Sequence, residues 1–150
     1  MIVISDIDFT ICDSSHRTHY LQKDPNDWKG FYTPKEVMKD KPILATRSIL
    51  RAMDNDNKGI VYVTSRTEAV SELTYKWLRK NHFPLGLIIF RPENDERPSE
   101  DVKESALALI KLMYNEPILF ALEDKPKCVE MYRRNGVMCL ALPEGDYQGN

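Results

Sequence analysis

The chain holds 150 residues, 42% of them hydrophobic and 29% charged, and its 21 Lys and Arg against 23 Asp and Glu leave a net charge of −2. That balance excludes a disordered or fibrous chain and offers no basic footprint for gripping long nucleic acid, so a nucleic-acid substrate would be held locally, at an end. The three cysteines show no C-x-x-C spacing, which argues against a disulfide or zinc framework, and no apolar run nears the roughly 20 residues that span a bilayer. Residues 1–6 lack the basic segment and apolar length of a signal peptide, so a cytoplasmic protein with reduced thiols is expected.

Short β-branched runs alternate with amphipathic helical patterns. A strand is expected at 1–7, then a helix at 42–54 with Ile43, Leu44, Ile49, Leu50 and Met53 on one face and Gly59 after it. The run 60–63 reads as a second strand, and 68–80 as a helix with Val70, Leu73, Trp77 and Leu78 at helical spacing. A third strand falls at 87–90, and a helix at 99–114 takes Ser99 as its N-cap. Pro117 opens a fourth strand at 118–122. Pro126 sits in the first turn of a helix at 126–135, Gly136 caps it, and 137–142 forms the last strand. The alternation predicts one doubly wound α/β domain over 1–150, with about five parallel strands and helices on both faces. Only residues 14–42 break the rhythm. They are polar, aromatic and turn-rich, too long for an ordinary βα connection, and expected as a small cap or loop over the strand ends.

In such a sheet, ligands bind beyond the carboxyl ends of the strands. The sequence gathers polar residues there: Asp6-Ile7-Asp8-Phe9-Thr10 after the first strand, Thr64-Ser65-Arg66 after the second, Glu123-Asp124 after the fourth, and Lys103 between the third and fourth. Each has a bland reading. D-x-D-x-T alone is a turn with a capping threonine, and Lys103 among Glu100, Asp101 and Glu104 suits a surface helix pair. Three clusters at three strand ends favour a site.

The residue types suit phosphate-ester chemistry. A phosphate monoester dianion repels a carboxylate nucleophile until cations neutralise it. Mg²⁺ takes hard oxygen ligands, which the Asp6 carboxylate, the Asp8 carbonyl, and Asp124 with or beside Glu123 would supply. Lys103 and a hydroxyl of Thr64 or Ser65 would hold the phosphoryl oxygens while Asp6 attacks phosphorus and Asp8 serves as general acid and then base. Arg66, expected at a helix N-terminus, would meet an anion there. Arg91 and Arg97 read either as substrate contacts or as a solvated loop pair. His16 and His19 could suggest metal ligands, but no third soft ligand converges. Trp28, Phe31 and Tyr32 either stack on a base or seat the cap on the body. Cys12 reads as a small buried residue.

Together these residues resemble the haloacid dehalogenase-like phosphatase superfamily, whose four motifs look like 6–10, Thr64-Ser65, Lys103 and Glu123-Asp124. Within it, the chain is most similar to the 3′-phosphatase domain of bacteriophage polynucleotide kinases. Arg66 follows the hydroxyl pair as in that domain; Arg91, Asp95 and Arg97 match its R-x-x-x-D-x-R; a basic residue, Lys125, follows the acidic pair; and 129–134, Gly136 and the ending 144–147 are similar as well. The resemblance implies a Mg²⁺-dependent phosphomonoesterase working through an aspartyl-phosphate on Asp6, with Thr10, Thr64, Ser65, Arg66, Arg91, Arg97 and Lys125 toward phosphate or substrate. The implied substrate is a 3′-phosphorylated DNA or RNA end. A nucleotidase for free 3′- or 5′-mononucleotides is the alternative, and a non-catalytic binding domain is the reading of a different class.

The sequence departs from the family pattern in four ways. Phe9 stands where glycine is usual and needs φ below zero or strain; its ring could floor the pocket. Glu123 replaces an aspartate, and Lys125 an arginine. No G-x-x-x-x-G-K-[ST] loop occurs, so no ATP site or kinase domain is expected, and 5′-phosphorylation would need another protein.

Overall fold

The computed structural model describes residues 1–144. The similar ending at 144–147 lies, from 145 on, outside the described residues. A five-stranded parallel sheet carries the fold: β1 (Ile2–Ser5), β4 (Gly59–Thr67), β5 (Leu87–Arg91), β6 (Ile118–Glu123) and β7 (Cys139–Ala141), in the order β5-β4-β1-β6-β7. Two further short strands, β2 (Cys12–Asp13) and β3 (Lys41–Pro42), pair antiparallel with each other.

All four residues of β1 are buried, as a central parallel strand covered on both faces requires. Alternate residues divide between two cores. Ile2, Ile4, Val61 and Val63 pack with Ala106, Leu107 and Ile110 of α5 (Ser99–Met113) and Met131 and Tyr132 of α6 (Pro126–Arg134). Val3, Ile60, Tyr62 and Ile88 pack on the other face with Leu50 of α3 (Leu44–Asn55) and Trp77 and Leu78 of α4 (Ser71–Lys80). The doubly wound α/β class is therefore as expected. Among the described residues no helix is long and apolar enough to cross a membrane.

The chain winds outward from β1 to β4 and β5, then returns to place β6 on the other side of β1. The crevice at that reversal lies beyond the carboxyl ends of β1 and β6, where Asp6 and Glu123 sit.

Several boundaries differ from expectation, each for a local reason. Pro42 does not open a helix. It pairs with Cys12 in the ribbon that closes the base of the 14–42 insertion, and α3 begins at Leu44. Inside the insertion lie a 3₁₀ segment (Ser15–Tyr20) and two single-turn helices, α1 (Trp28–Phe31) and α2 (Pro34–Val37). β4 runs through Thr67, so Arg66 lies in a strand and not at a helix N-terminus; a 3₁₀ turn, Glu68–Val70, precedes α4. Pro98, not Ser99, occupies the N-cap of α5, and no side chain caps that helix. Gly136 takes φ 76 just after α6, a conformation open to glycine without penalty.

Candidate active site

After β1 the chain turns back sharply. The Ile7 carbonyl accepts the N–H groups of Thr10, Ile11 and Cys12 at 3.2, 2.9 and 3.3 Å, and the Cys12 carbonyl accepts that of Phe9 at 2.8 Å. This loop holds Phe9 at φ 63, so the phenylalanine takes the strained left-handed conformation instead of a negative φ. Phe9 is buried but is not among the residues lining the central cavity, so its ring does not floor the pocket. The turn sets Thr10 Oγ1 3.3 Å from Asp6 Oδ2 and 3.2 Å from Asp124 Oδ1, tying the ends of β1 and β6 together.

Carboxylate oxygens of Asp6, Glu123 and Asp124 lie within 4.8 Å of one another, and all three residues are buried. Lys103, also buried, reaches Asp6 Oδ1 at 2.8 Å and Glu123 Oε2 at 2.6 Å. Lys103 thus bridges two of the three acids. Burial, the Glu123 charge and the Asp124 charge hold the Asp6 carboxyl well above its ordinary range, although Lys103 opposes them. Burial raises Glu123 too, against the pull of Lys103. An all-oxygen donor set of three buried carboxylates is what Mg²⁺ prefers, so the residues present fit that ion. Glu123 uses its extra methylene to meet Lys103. Its other oxygen, Oε1, accepts the backbone N–H of Asp124 at 3.2 Å and of Lys125 at 3.1 Å.

A second charge cluster surrounds Asp8. Arg66 binds it with both Nε, 3.0 Å from Oδ2, and Nη2, 2.7 Å from Oδ1. Arg17 Nη2 reaches Oδ1 at 2.8 Å and Asp40 Oδ2 at 2.7 Å, while Arg17 Nε meets Asp40 Oδ1 at 2.8 Å. Both arginines and Asp40 are buried. Burial alone would raise the Asp8 carboxyl, but Arg66 and then Arg17 outweigh it and hold it well below the usual carboxylate range. Arg66 Nη1 donates to Thr74 Oγ1 at 3.1 Å, so this guanidinium is committed to the protein and does not line the cavity.

The central cavity, about 360 Å³, brings together Asp6, Asp8, Ser65, Lys103, Glu123 and Lys125, with Ser99 beside them. From the insertion come Leu21, Asn26, Trp28, Phe31 and Tyr32. Ser99 Oγ stands at a convergence of donors: Ser65 Oγ at 3.0 Å, Lys125 Nζ at 3.3 Å and Arg91 Nη2 at 3.4 Å. Thr64 is buried behind the cavity and accepts the Arg66 N–H at 3.1 Å. Arg91 is directed chiefly at backbone, 2.8 Å from the Asp95 carbonyl and 2.7 Å from that of Arg97. Arg97 is exposed, chelates Asp95, donates to Ser105 Oγ and stays outside the cavity. His16 Nε2 is spent on the Glu36 carbonyl at 2.9 Å.

Sequence reasoning passed over Arg17, Asp40 and Ser99. Arg17 was visible only as part of a polar run, 15–20, in a segment without periodicity; burial of an arginine leaves no spacing signal.

No curated protein matches the sequence. Among solved structures, a chain of the Pnkp1/Rnl/Hen1 RNA repair complex superposes with a TM-score of 0.73 at 22% identity, over 97% of this chain and 43% of that one. The class C acid phosphatase from Bacillus anthracis gives 0.71 at 16% identity, over 99% and 69%. A β-phosphoglucomutase from Thermotoga maritima, so described provisionally, gives 0.58 at 15% identity, over 99% and 90%. At these identities the likeness is one of fold, and the chain spans less than half the length of the first of these relatives. The match that reaches beyond fold is to the model of the polynucleotide kinase PNKP phosphatase domain, which covers residues 1–147, and the chain belongs to that haloacid dehalogenase-like family.

Proposed function

We propose that this chain is a Mg²⁺-dependent phosphomonoesterase that removes 3′-phosphates from nucleic-acid ends through an aspartyl-phosphate on Asp6. The observation that carries the reading is the buried nest in which Lys103 bridges Asp6 and Glu123, open to a cavity that Asp8 also lines.

Asp6, Asp124 and the Asp8 carbonyl, with Glu123 beside them, are the oxygens that would hold the ion; when bound, it offsets the repulsion between a phosphate dianion and the attacking carboxylate. Lys103, 2.8 Å from Asp6 Oδ1, steers that oxygen and can neutralise a phosphoryl oxygen next to it. In the first step the Asp6–phosphorus bond forms as the bond from phosphorus to the sugar 3′-oxygen breaks, and the leaving oxygen takes a proton. In the second, water attacks phosphorus, loses a proton and releases Asp6 and inorganic phosphate. Asp8 is the group for both proton transfers: it takes up a proton from solvent ahead of the first step, against the pull of Arg66 and Arg17, gives it to the leaving oxygen, and takes one back from the attacking water. Its Oδ1 is occupied by two guanidinium N–H groups, which leaves Oδ2 with the greater capacity to accept a proton.

Support for a nucleic-acid end comes from the family, and the cavity, about 360 Å³, is in the range of small-ligand sites. That same size keeps free 3′- or 5′-mononucleotides as the second reading. Phosphate release from a 3′-phosphorylated oligonucleotide, its 5′-phosphorylated counterpart and the matching mononucleotides tests the proposal. The highest kcat/KM is expected for the 3′-phosphorylated end. Faster turnover of mononucleotides would make this a nucleotidase.

A further inference from the structure

The three aromatic residues of α1 and its C-cap do not share one task. Phe31 is 1% exposed, and the Arg17 guanidinium lies 4.0 Å from its ring centroid. Tyr32 lies deeper in the cavity, near Arg17 and Arg66 at 5.4 and 5.8 Å. Trp28 is 53% exposed and still lines the cavity. Phe31 therefore seats the insertion, and the indole is left partly exposed on the cavity wall.

That indole is exposed but firmly mounted. Arg17 Nη1 donates to the Phe31 carbonyl at 3.0 Å, so the arginine that orients Asp8 also anchors the helix bearing Trp28. Asp27 Oδ1 accepts the Gly30 N–H at 2.8 Å at the start of α1. Gly30 itself packs so closely on the Tyr20 ring that a Cβ would collide with it. The Trp28 and Tyr32 rings lie within 18° of parallel, 6.2 Å apart, so both present the same orientation. A rigid planar apolar face loses little freedom on binding and gains by being covered.

We propose that Trp28 is the face on which the nucleobase of the terminal nucleotide stacks, making it a specificity-determining residue of this site. The inference rests on the phosphatase reading and adds what the leaving group must carry. The cavity is charged where Asp6, Lys103 and Lys125 line it and apolar where Leu21 and Trp28 line it. A phosphate ester that also carries a planar heteroaromatic ring matches both kinds of lining. Stacking accepts any base because every base has a π-face, so selection is for the presence of a base and not for its identity.

The test uses two oligonucleotides ending in a 3′-phosphate, one with a normal terminal nucleotide and one whose terminal sugar is abasic, with a simple aryl phosphate as control for the chemistry. Trp28→Ala is expected to lower kcat/KM for the normal end by about tenfold, through KM, and Trp28→Phe to restore most of it. The wild type is expected to show a similar deficit on the abasic end, and Trp28→Ala to leave that substrate within about twofold. Equal losses on both oligonucleotides would mean that Trp28 only shapes the insertion, and the proposal fails. Indifference of the wild type to the missing base overturns it as well. If the wild type hydrolyses aryl phosphate but neither oligonucleotide, the polynucleotide assignment falls and takes this inference with it, while the hydrolytic chemistry stands.

Discussion

Arg66 holds Asp8 side-on, with Nε 3.0 Å from one carboxylate oxygen and Nη2 2.7 Å from the other. Paired in this bidentate way, Asp8 has its plane fixed relative to β4, and Arg17 adds a third N–H from the insertion. The proposed proton carrier is therefore a keystone of the fold as well as a group at the cavity. Asp8→Asn is expected to reduce kcat by about 10²–10⁴-fold. It is also expected to cost about 3 kcal/mol of stability, because two buried guanidinium groups would then share Asp40 alone. Urea unfolding beside steady-state kinetics separates the two; an unchanged midpoint would contradict the keystone role.

The pH dependence of that stability has a definite sign. Burial raises the Asp8 carboxyl, but Arg66 and Arg17 lower it further, so its folded value lies below the unfolded value of about 3.9. A carboxyl depressed on folding contributes its stability in full above the unfolded value and loses it as the pH falls through the folded one. The gap in unfolding free energy between wild type and Asp8→Asn should thus be widest above about pH 5 and narrow below about pH 4. A gap that widened on acidification would reverse the assignment.

Arg17 has no part in the sequence motifs, yet it joins Asp8, Asp40 and the Phe31 carbonyl. Arg17→Met should leave the buried Asp40 and the half-buried Asp8 short of a partner and destabilise the protein by about 3–5 kcal/mol. Arg97→Ala, by contrast, removes an exposed side chain outside the cavity and should change kcat/KM less than about twofold and stability by under about 0.5 kcal/mol. Thermal melts and kinetics on the two variants check the contrast.

Glu123 supports Lys103 at 2.6 Å and the Asp124 and Lys125 N–H groups. Glu123→Gln should raise the Mg²⁺ concentration for half-maximal activity by about 10–100-fold, the usual cost of losing a carboxylate that orients metal ligands. Titration of activity with Mg²⁺ measures it, and an unchanged half-saturation point would remove Glu123 from the metal's surroundings.

How much of this was legible in the sequence follows from what leaves a pattern. Strands and helices do: Val3, Val61 and Leu50 fall at the periods that place them in the two cores. The motif residues also announced themselves, since Asp6, Asp8, Lys103 and Glu123 sit at strand ends or in the one segment that can reach them. Contacts made by the insertion were not legible. Arg17 lies in a six-residue 3₁₀ segment and Trp28 in a single-turn helix, both too short to show periodicity; Arg17 is placed by its ion pair with the distant Asp40, and Trp28 by ring contacts with Phe31 and Tyr32. Serine at the start of a helix is usually its cap, but Pro98 takes that place here and leaves the Ser99 hydroxyl to Ser65, Arg91 and Lys125. The β-branched run that marks β4 ends at Val63, while the strand itself continues through the polar residues to Thr67 and carries Arg66 with it.

The most direct test of the central claim is inorganic phosphate release from a 3′-phosphorylated oligonucleotide by wild type and Asp6→Asn, each with Mg²⁺ and with EDTA. The account predicts turnover only by the wild type with Mg²⁺, with Asp6→Asn inactive at unchanged circular dichroism. Substantial release by Asp6→Asn, or release undiminished in EDTA, would contradict it.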